Sequence, residues 1–403
     1  ATHSLVVGTS NTVGGTNNIV GGFGHANNDN AINSLLVGSY NSIDGHDSVA
    51  LGKNNTIKGN NALVGGTGAK VQGNNAIAFG DSAKVTYDDA YAIGRKAEAT
   101  AQNTVAIGNN AKANNVMGTA IGYNAKAKND YATAVGYSST GSGNQSSAFG
   151  FNSEATAMNT TAVGSYANAS GAYSTALGFK TTASNEDSVA LGNYSTSAGK
   201  SAFAAGTLAK AAEKDSLAIG HSATTTKENG IAIGTNAMAA TDNSIALGAK
   251  SVTDTAVSTS SGVIGGRTYS FAGGNAVGTL SIGDSGAERT ITNVAAGRVS
   301  AISTDVVNGS QLHAIKDVVD NHENRITTIE GDINTLNNRI INGGANSLNE
   351  AKAYTDQQVS SVAAASAALA GLHPLDFDKH DKWSYSVGFG NYKNANAAAL
   401  GAF

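Results

Sequence analysis

The sequence has no cysteine, one proline (Pro374) and one tryptophan (Trp383) in 403 residues. Without cysteine there are no disulfides and no thiolate metal sites. That absence does not choose a compartment, because secreted and cytosolic chains can both do without it. Charge is scarce as well. Asp, Glu, Lys and Arg make up 13% of the chain, about half the usual share. Aromatic residues are 6%, so a globular enzyme core would be short of large side chains. No apolar run reaches the ~18 residues of a transmembrane helix. A net charge of −4 and a pI near 6.1 give no reason to expect nucleic acid as a partner. The chain starts Ala1-Thr2-His3, without an initiating Met or a signal peptide, so either it had none or it is a processed or trimmed form.

What is abundant is small. Glycine contributes 50 residues, and Ala, Ser, Thr and Asn fill much of the rest. Collagen is excluded, since it needs Gly at every third position and abundant Pro. Disorder fits poorly with 40% hydrophobic residues and near-neutral charge. A regular structure made of small residues remains, which means a repeat.

The pattern x-A-[ILVF]-G recurs, for example at 48–52, 104–108, 188–192 and 244–248. From Gly80 to Gly248 it advances in twelve steps of 14 residues without a slip. Looser copies at 4–8, 18–22, 34–38 and 62–66 bring the total to about eighteen across residues 1–250. Each copy alternates. Val189 and Leu191 share one face, Ser188 and Ala190 the other, and Gly192 ends the strand. A second alternation follows three and five residues after each Gly, as at Ala111/Ala113. Two strands and two turns in 14 residues predict one coil of a narrow, mainly β solenoid. Val, Ile and Leu on one face and Ala on the other cannot both be buried within one chain. Lateral association with identical copies is therefore expected. Residues 1–250 hold 15 basic and 15 acidic side chains, so the repeat region is a neutral rod.

After Gly248 the register stops. Residues 251–285 read as a polar, Gly-punctuated connector, and 286–312 as the passage into a helix. Leu312, Ile315, Val319, His322, Ile326, Ile329, Ile333, Leu336 and Ile340 then follow steps of three and four, a heptad seam over a 312–373 stalk. Ile at both a and d positions leans towards trimers. Gly343-Gly344 interrupts the seam, which resumes one residue out of phase through Leu348, Ala351, Thr355, Val362, Leu369 and Leu372. In 382–390, Trp383, Tyr385, Val387 and Phe389 alternate with Ser384, Ser386, Gly388 and Gly390. That is the out/in pattern of a membrane β-barrel strand. A turn at 391–396 and a second strand from Ala397 are expected. Residues 375–403 then read as the start of a barrel anchor that stops before the barrel could close.

This order of parts resembles the trimeric autotransporter adhesins of Gram-negative bacteria, typified by the Yersinia adhesin. Copies such as SVALG (188–192) are similar to that family's left-handed parallel β-roll head. GRVSAISTDVVNGSQL (297–312) is similar to its neck, with Arg298, Asp305, Asn308 and Gly309 as neck residues. GGRTYSFAGG (265–274) resembles a head insert, and NSLNEAKAYTDQQ (346–358) the membrane-proximal stalk. The resemblance implies an obligate homotrimer whose C-terminal strands join one outer-membrane barrel. It further implies a cell-surface head that contacts host matrix proteins, host cells or other bacteria.

Several single residues admit more than one reading. His322 at a d position would bring three imidazoles together on a trimer axis, either as a pH-sensitive layer or as a polar core residue that helps fix register. The second is favoured. Asp88-Asp89 and Glu186-Asp187 sit in turns and read as solvated rather than catalytic or metal-binding. Arg267, Arg289 and Arg298 are expected to pair with Glu288 or Asp305, within or between chains. Exposed Tyr123, Tyr137, Tyr166, Tyr173 and Lys126 are candidate contacts, but no residue is singled out as receptor-binding. No cofactor, metal or catalytic residue is expected. A hexapeptide acyltransferase helix and an ice-binding solenoid each lack their required pattern. The membrane-strand pattern at 382–390 argues against a phage-type fibre, which stays the least favoured alternative. The main alternative to host adhesion is a spacer or self-association fibre.

Overall fold

The computed structural model describes residues 2–374, 376, 379–380 and 382–403. Ala1 and Leu375, where the head and the anchor segment are expected to begin, lie outside the described residues. The chain forms two compact units, Ala1–Thr292 and Asn293–Phe403.

The first unit is a parallel β-solenoid. Each coil has a long strand of three to five residues, such as Val105–Ile107, and a short one of two, such as Lys112–Ala113. Each strand pairs with its equivalent one coil away: Ala106 lies between Ala92 and Ala120. Among the described residues the long-strand sheet has nineteen strands and the short-strand sheet seventeen. The register is 14 residues throughout the regular repeats. Early on, Ile19 pairs with Leu35, two residues further along. The excess is taken up at the corner between 28 and 33.

Side-chain size sets the width of the roll. Ala106 from one sheet and Ala111 and Ala113 from the other are fully buried, and methyl groups fill the gap between them. The interior is bulkier near the N-terminus, where Leu36, Ile43, Ile57, Val64 and Val71 are fully buried. Polar ladders accompany them. Asn41 Oδ1 accepts from the Asn55 backbone N–H at 3.1 Å, while its amide donates to Gly52 O at 2.9 Å and Val37 O at 3.1 Å. His25 is a rung of the same ladder. Its Nδ1 accepts from the Asn41 N–H at 3.2 Å, and its Nε2 lies 3.1 Å from Gly21 O. A buried imidazole here satisfies what an asparagine satisfies one coil on.

The corners carry a period that the side chains do not announce. Asn103, Asn110, Met117, Asn124 and Tyr131 all have φ between +56° and +64°, one every seven residues. Each left-handed residue costs roughly 1–2 kcal/mol. The turns return this through pairing that continues around the bend. Gly108 N–H donates to Ile93 O at 2.7 Å, and Asn110 N–H to Arg95 O at 2.9 Å.

The segment read as a connector also finishes the solenoid. A hairpin, Ser261–Ile264 with Arg267–Ser270, turns through Gly265 and Gly266 at φ 57° and 78°. The chain then returns, and Leu280–Ser281 pairs in parallel with Ile245 and Ala246 as a nineteenth rung. Arg289 completes the cap by donating to Ser251 Oγ at 3.2 Å and to the carbonyls of Ala249 and Ile282. An unpaired last coil would otherwise offer open strand edges.

The second unit is one continuous helix, Gly309–Ala370, and an antiparallel hairpin, Tyr385–Tyr392 with Ala395–Ala402. The helix passes through Gly343 and Gly344 without interruption. What breaks there is the phase of the apolar seam, not the backbone. The hairpin turn is tighter than the expected 391–396, since Tyr392 pairs directly with Ala395.

Candidate interaction surfaces

The long-strand sheet presents an apolar outer face. Its middle residues point inward, so the flanking ones point out. Ile107, Phe79, Leu177 and Leu247 are 37%, 48%, 47% and 45% exposed. This row recurs along the solenoid, broken only by the small Gly21, Gly65 and Ala205. The short-strand sheet is its opposite. Its outward positions hold Lys70, Lys84, Glu98, Lys112, Lys126, Thr140, Glu154, Asn168, Thr182 and Thr196. One flank of the head is apolar and the other is wet.

At one corner the rings of Tyr123, Tyr137, Phe151, Tyr166, Phe179 and Tyr194 form a ladder, with successive centroids 5.0 to 6.2 Å apart. Lys180 Nζ lies 5.4 to 5.8 Å from three of these rings. Tyr123, Tyr137 and Tyr166 were among the exposed candidates. Tyr173 belongs to a different corner, and Phe151, Phe179 and Tyr194 complete the row. The sequence signal was a 14-residue aromatic spacing blurred by one-residue shifts at Tyr166 and Tyr194.

The acid pairs are rungs. Asp88 Oδ1 accepts from the Asn74 N–H at 2.7 Å, and Asp89 from the Asn75 amide at 3.2 Å. Glu186 pairs with Lys200 at 2.7 Å. Among the described residues no group of three metal-ligating side chains comes together.

The neck residues share one short loop. Arg298 Nε and Nη2 meet Asp305 Oδ2 and Oδ1 at 2.8 and 3.2 Å, inside one chain. The expected pairing of Arg289 with a carboxylate is corrected, because it caps the solenoid through carbonyls instead. Glu288 accepts from the Gly286 N–H at 2.9 Å. Arg267 has no ion-pair partner among the described residues. Asn308 is the helix N-cap: its Oδ1 accepts from the Gln311 N–H at 3.3 Å, and its amide donates to Val294 O at 3.1 Å. Gln311 returns the bond to Asn308 N–H and also ties down Gly297 at both N–H and carbonyl. The loop is thus stitched to the first helical turn. Gly309 has open space around it, so nothing within the chain demands a glycine there.

The Arg298 guanidinium beside Asp305 holds its carboxyl below the usual carboxylate range. A carboxyl lowered by folding contributes above the ordinary range, and the contribution is lost as pH falls through the lowered value. Arg298→Ala should therefore lower helix melting slightly at pH 7, and the difference should vanish at strongly acid pH. Equal melting of both chains at pH 7 would deny the pair any role. Both partners are solvated, so the shift should be a few degrees at most.

The stalk seam lies open. Leu312, Ile315, Val319, Ile326, Ile329, Ile333, Leu336 and Ile340 are all exposed, as is His322. Further on, the helix buries Ser360, Ala364 and Ala368. These face the hairpin, where a Cβ on Gly388 or Gly390 would sit 2.1 Å from Ala368 O or Ala364 O. The tiny residues of the hairpin therefore lie against the helix. Tyr385, Val387, Phe389 and Leu400 point away from it and are exposed.

Comparison with known proteins matches these parts in order. The YadA head domain repeat matches seven times between residues 58 and 251. The coiled stalk of trimeric autotransporter adhesins matches residues 290–365. Together the two cover more than half of the chain. The chain belongs to the trimeric autotransporter adhesins. Over 71 residues it is 56% identical to the autotransporter adhesin BtaE of Brucella suis biovar 1 (strain 1330). That stretch is 18% of this adhesin chain and 10% of the Brucella protein. Among solved structures, the C-terminal YadA-like domain of a Burkholderia pseudomallei protein is 44% identical over 26% of this chain and 49% of that one, with a TM-score of 0.26. The collagen-binding domain of the Yersinia adhesin YadA is 25% identical over 50% of this chain and 84% of that one, with a TM-score of 0.29.

Proposed function

We propose that the chain is the surface-exposed part of a non-enzymatic homotrimeric adhesin held in an outer membrane. The observation that carries this reading is the unpartnered apolar face of the long-strand sheet. It recurs on every coil and needs an equally long, equally periodic partner. Two further copies supply one. The open seam from Leu312 to Ile340 asks for the same neighbours, and Ile at its a and d positions favours three. The hairpin supports the anchor. Its apolar face points outward while glycines meet a helix, as staves around a plug would. The head, 1–250, would then be displayed beyond the neck, 286–312, and the stalk, 312–373, on the cell surface.

With its apolar sheets turned inward, the trimer would present polar sheets and corner residues in three-fold copies. Weak contacts repeated in this way add through effective concentration. Extracellular matrix proteins or cell-surface receptors are the proposed partners, as collagen is named for the Yersinia domain. A spacer or self-association fibre is the second reading, favoured by the neutral head. Cells displaying the chain should adhere to collagen-, fibronectin- or laminin-coated surfaces, while cells without it should not. Adhesion to none of these with strong autoagglutination would move the assignment to the second reading. Neither behaviour would sink both.

A further inference from the structure

The head is neutral as a whole but not along its length. Residues 1–52 contain no Lys or Arg. Residues 53–128 contain nine, against four Asp or Glu. Residues 129–250 contain six, against eight. In the basic stretch the outward position of the short strand is held by Lys70, Lys84, Glu98, Lys112 and Lys126, paired in register from coil to coil. Neighbouring rungs are ~4.8 Å apart, so the row is a straight line of charge roughly 19 Å long. Lys58 and Lys128, both exposed, lie beside its two ends, two residues beyond the row position in their coils.

The fold does not require lysine at this position. Thr182, Thr196 and Thr224 occupy it elsewhere, and threonine is the better strand residue. Like charges directly opposite each other destabilise a sheet, yet Lys70 faces Lys84 and Lys112 faces Lys126. Only Glu98 offsets the row, through Lys112 at 3.0 Å. Lys70, Lys84 and Lys126 have no ion-pair partner among the described residues. The repulsion would be relieved by a linear anion laid along the axis.

We infer that the lysine row is a binding track for a sulfated linear polysaccharide. This rests on the adhesin reading and names a ligand class for it. Lysine acts as a point charge that suits scattered sulfates and carboxylates. A single-stranded nucleic acid would call for stacking rings interleaved with the charges. The aromatic ladder begins only at Tyr123, as the row ends, and its first three rings stack on one another. A membrane surface would want charge spread over a plane, not one file along an axis.

The test uses the full chain on immobilised heparin at about 0.15 M salt. Wild type should bind. The fourfold variant Lys70→Thr, Lys84→Thr, Lys112→Thr, Lys126→Thr should bind at least about tenfold more weakly, with a shallower salt dependence. A control with Lys200, Lys210, Lys214 and Lys227 each changed to Thr loses the same charge and should bind within about twofold of wild type. Coincident thermal melts of the three proteins would show that the row, not folding, is being read. Equal weakening in both variants, no binding by wild type, or tighter binding to duplex DNA or anionic vesicles than to heparin would overturn the inference. If heparin binding is absent while displaying cells still adhere to coated surfaces, only the track falls. If adhesion is absent too, the adhesin reading falls with it.

Discussion

Gly136→Ala should destabilise the head by at least ~3 kcal/mol. Gly136 has φ 136°, a region open essentially to glycine alone. A Cβ there would lie 2.3 Å from Gly150 O and 2.6 Å from its carbonyl carbon. Neither atom can yield. Gly150 meets Gly164 in the same way, at 2.5 Å, so a local shift would have to pass from coil to coil. The expected result is early melting of the β signal and loss of amide protection in the coils around residues 122–164. Gly331→Ala is the internal contrast. It lies in the exposed helix with nothing within 4 Å of a new Cβ. It should stabilise the helix by about 0.5–1 kcal/mol. If both variants melted like wild type, the close approach of the glycine rungs would be wrong.

Ile329→Asp should disperse the stalk. In a single chain this position is already exposed, so the substitution costs little there. In a three-chain seam it would place three carboxylates around one axis, each desolvated and without a partner. Sedimentation should move from the mass of three chains to that of one, with loss of helical signal. Thr328→Asp, one position off the seam, should leave three chains. Wild type that sediments as a single chain would refute the trimer. A mutant that keeps three chains while its helix melts would assign trimerisation to the head instead.

Much of this was legible because side-chain chemistry and geometry shared a period. The alternation of Val189, Ala190 and Leu191 stated which side was inside before any coordinate. Trp383 to Gly390 did the same for the hairpin, and Leu312 to Ile340 for the helix. The corners were legible as turns but not in their left-handed, seven-residue period. Asn110, Met117, Tyr131 and Leu208 all adopt the left-handed conformation, and they have no chemistry in common. Backbone shape imposed by the neighbouring coil marks composition only in part: Asn and Asp, which tolerate φ > 0, hold many corners, but Met117, Tyr131 and Leu208 are accepted as well. The nineteenth rung was hidden by distance, since Thr279 N–H reaches back to Ser244 Oγ across 35 residues. Arg289 was misassigned because an arginine near acids suggests an ion pair. The carbonyls left by an ending solenoid were stronger claimants. The glycine pair at 343–344 reads as a break because helix propensity says so, yet a long helix carries two such residues at ~1 kcal/mol each.

The closed 14-residue register also determines how such a head can change in length. Deleting one residue within a strand would turn the rest of that strand towards the wrong face, whereas the two extra residues between 28 and 33 are absorbed at a corner. Deleting or duplicating a whole coil changes nothing but reach, by ~4.8 Å. Neighbouring coils such as 174–187 and 188–201 share little beyond the Ser, the Ala-Leu-Gly and one Thr, so a whole coil is interchangeable through its pattern rather than its full sequence. The head behaves as a ruler cut only at its marks, and a lineage could retune its reach without redesigning a single contact.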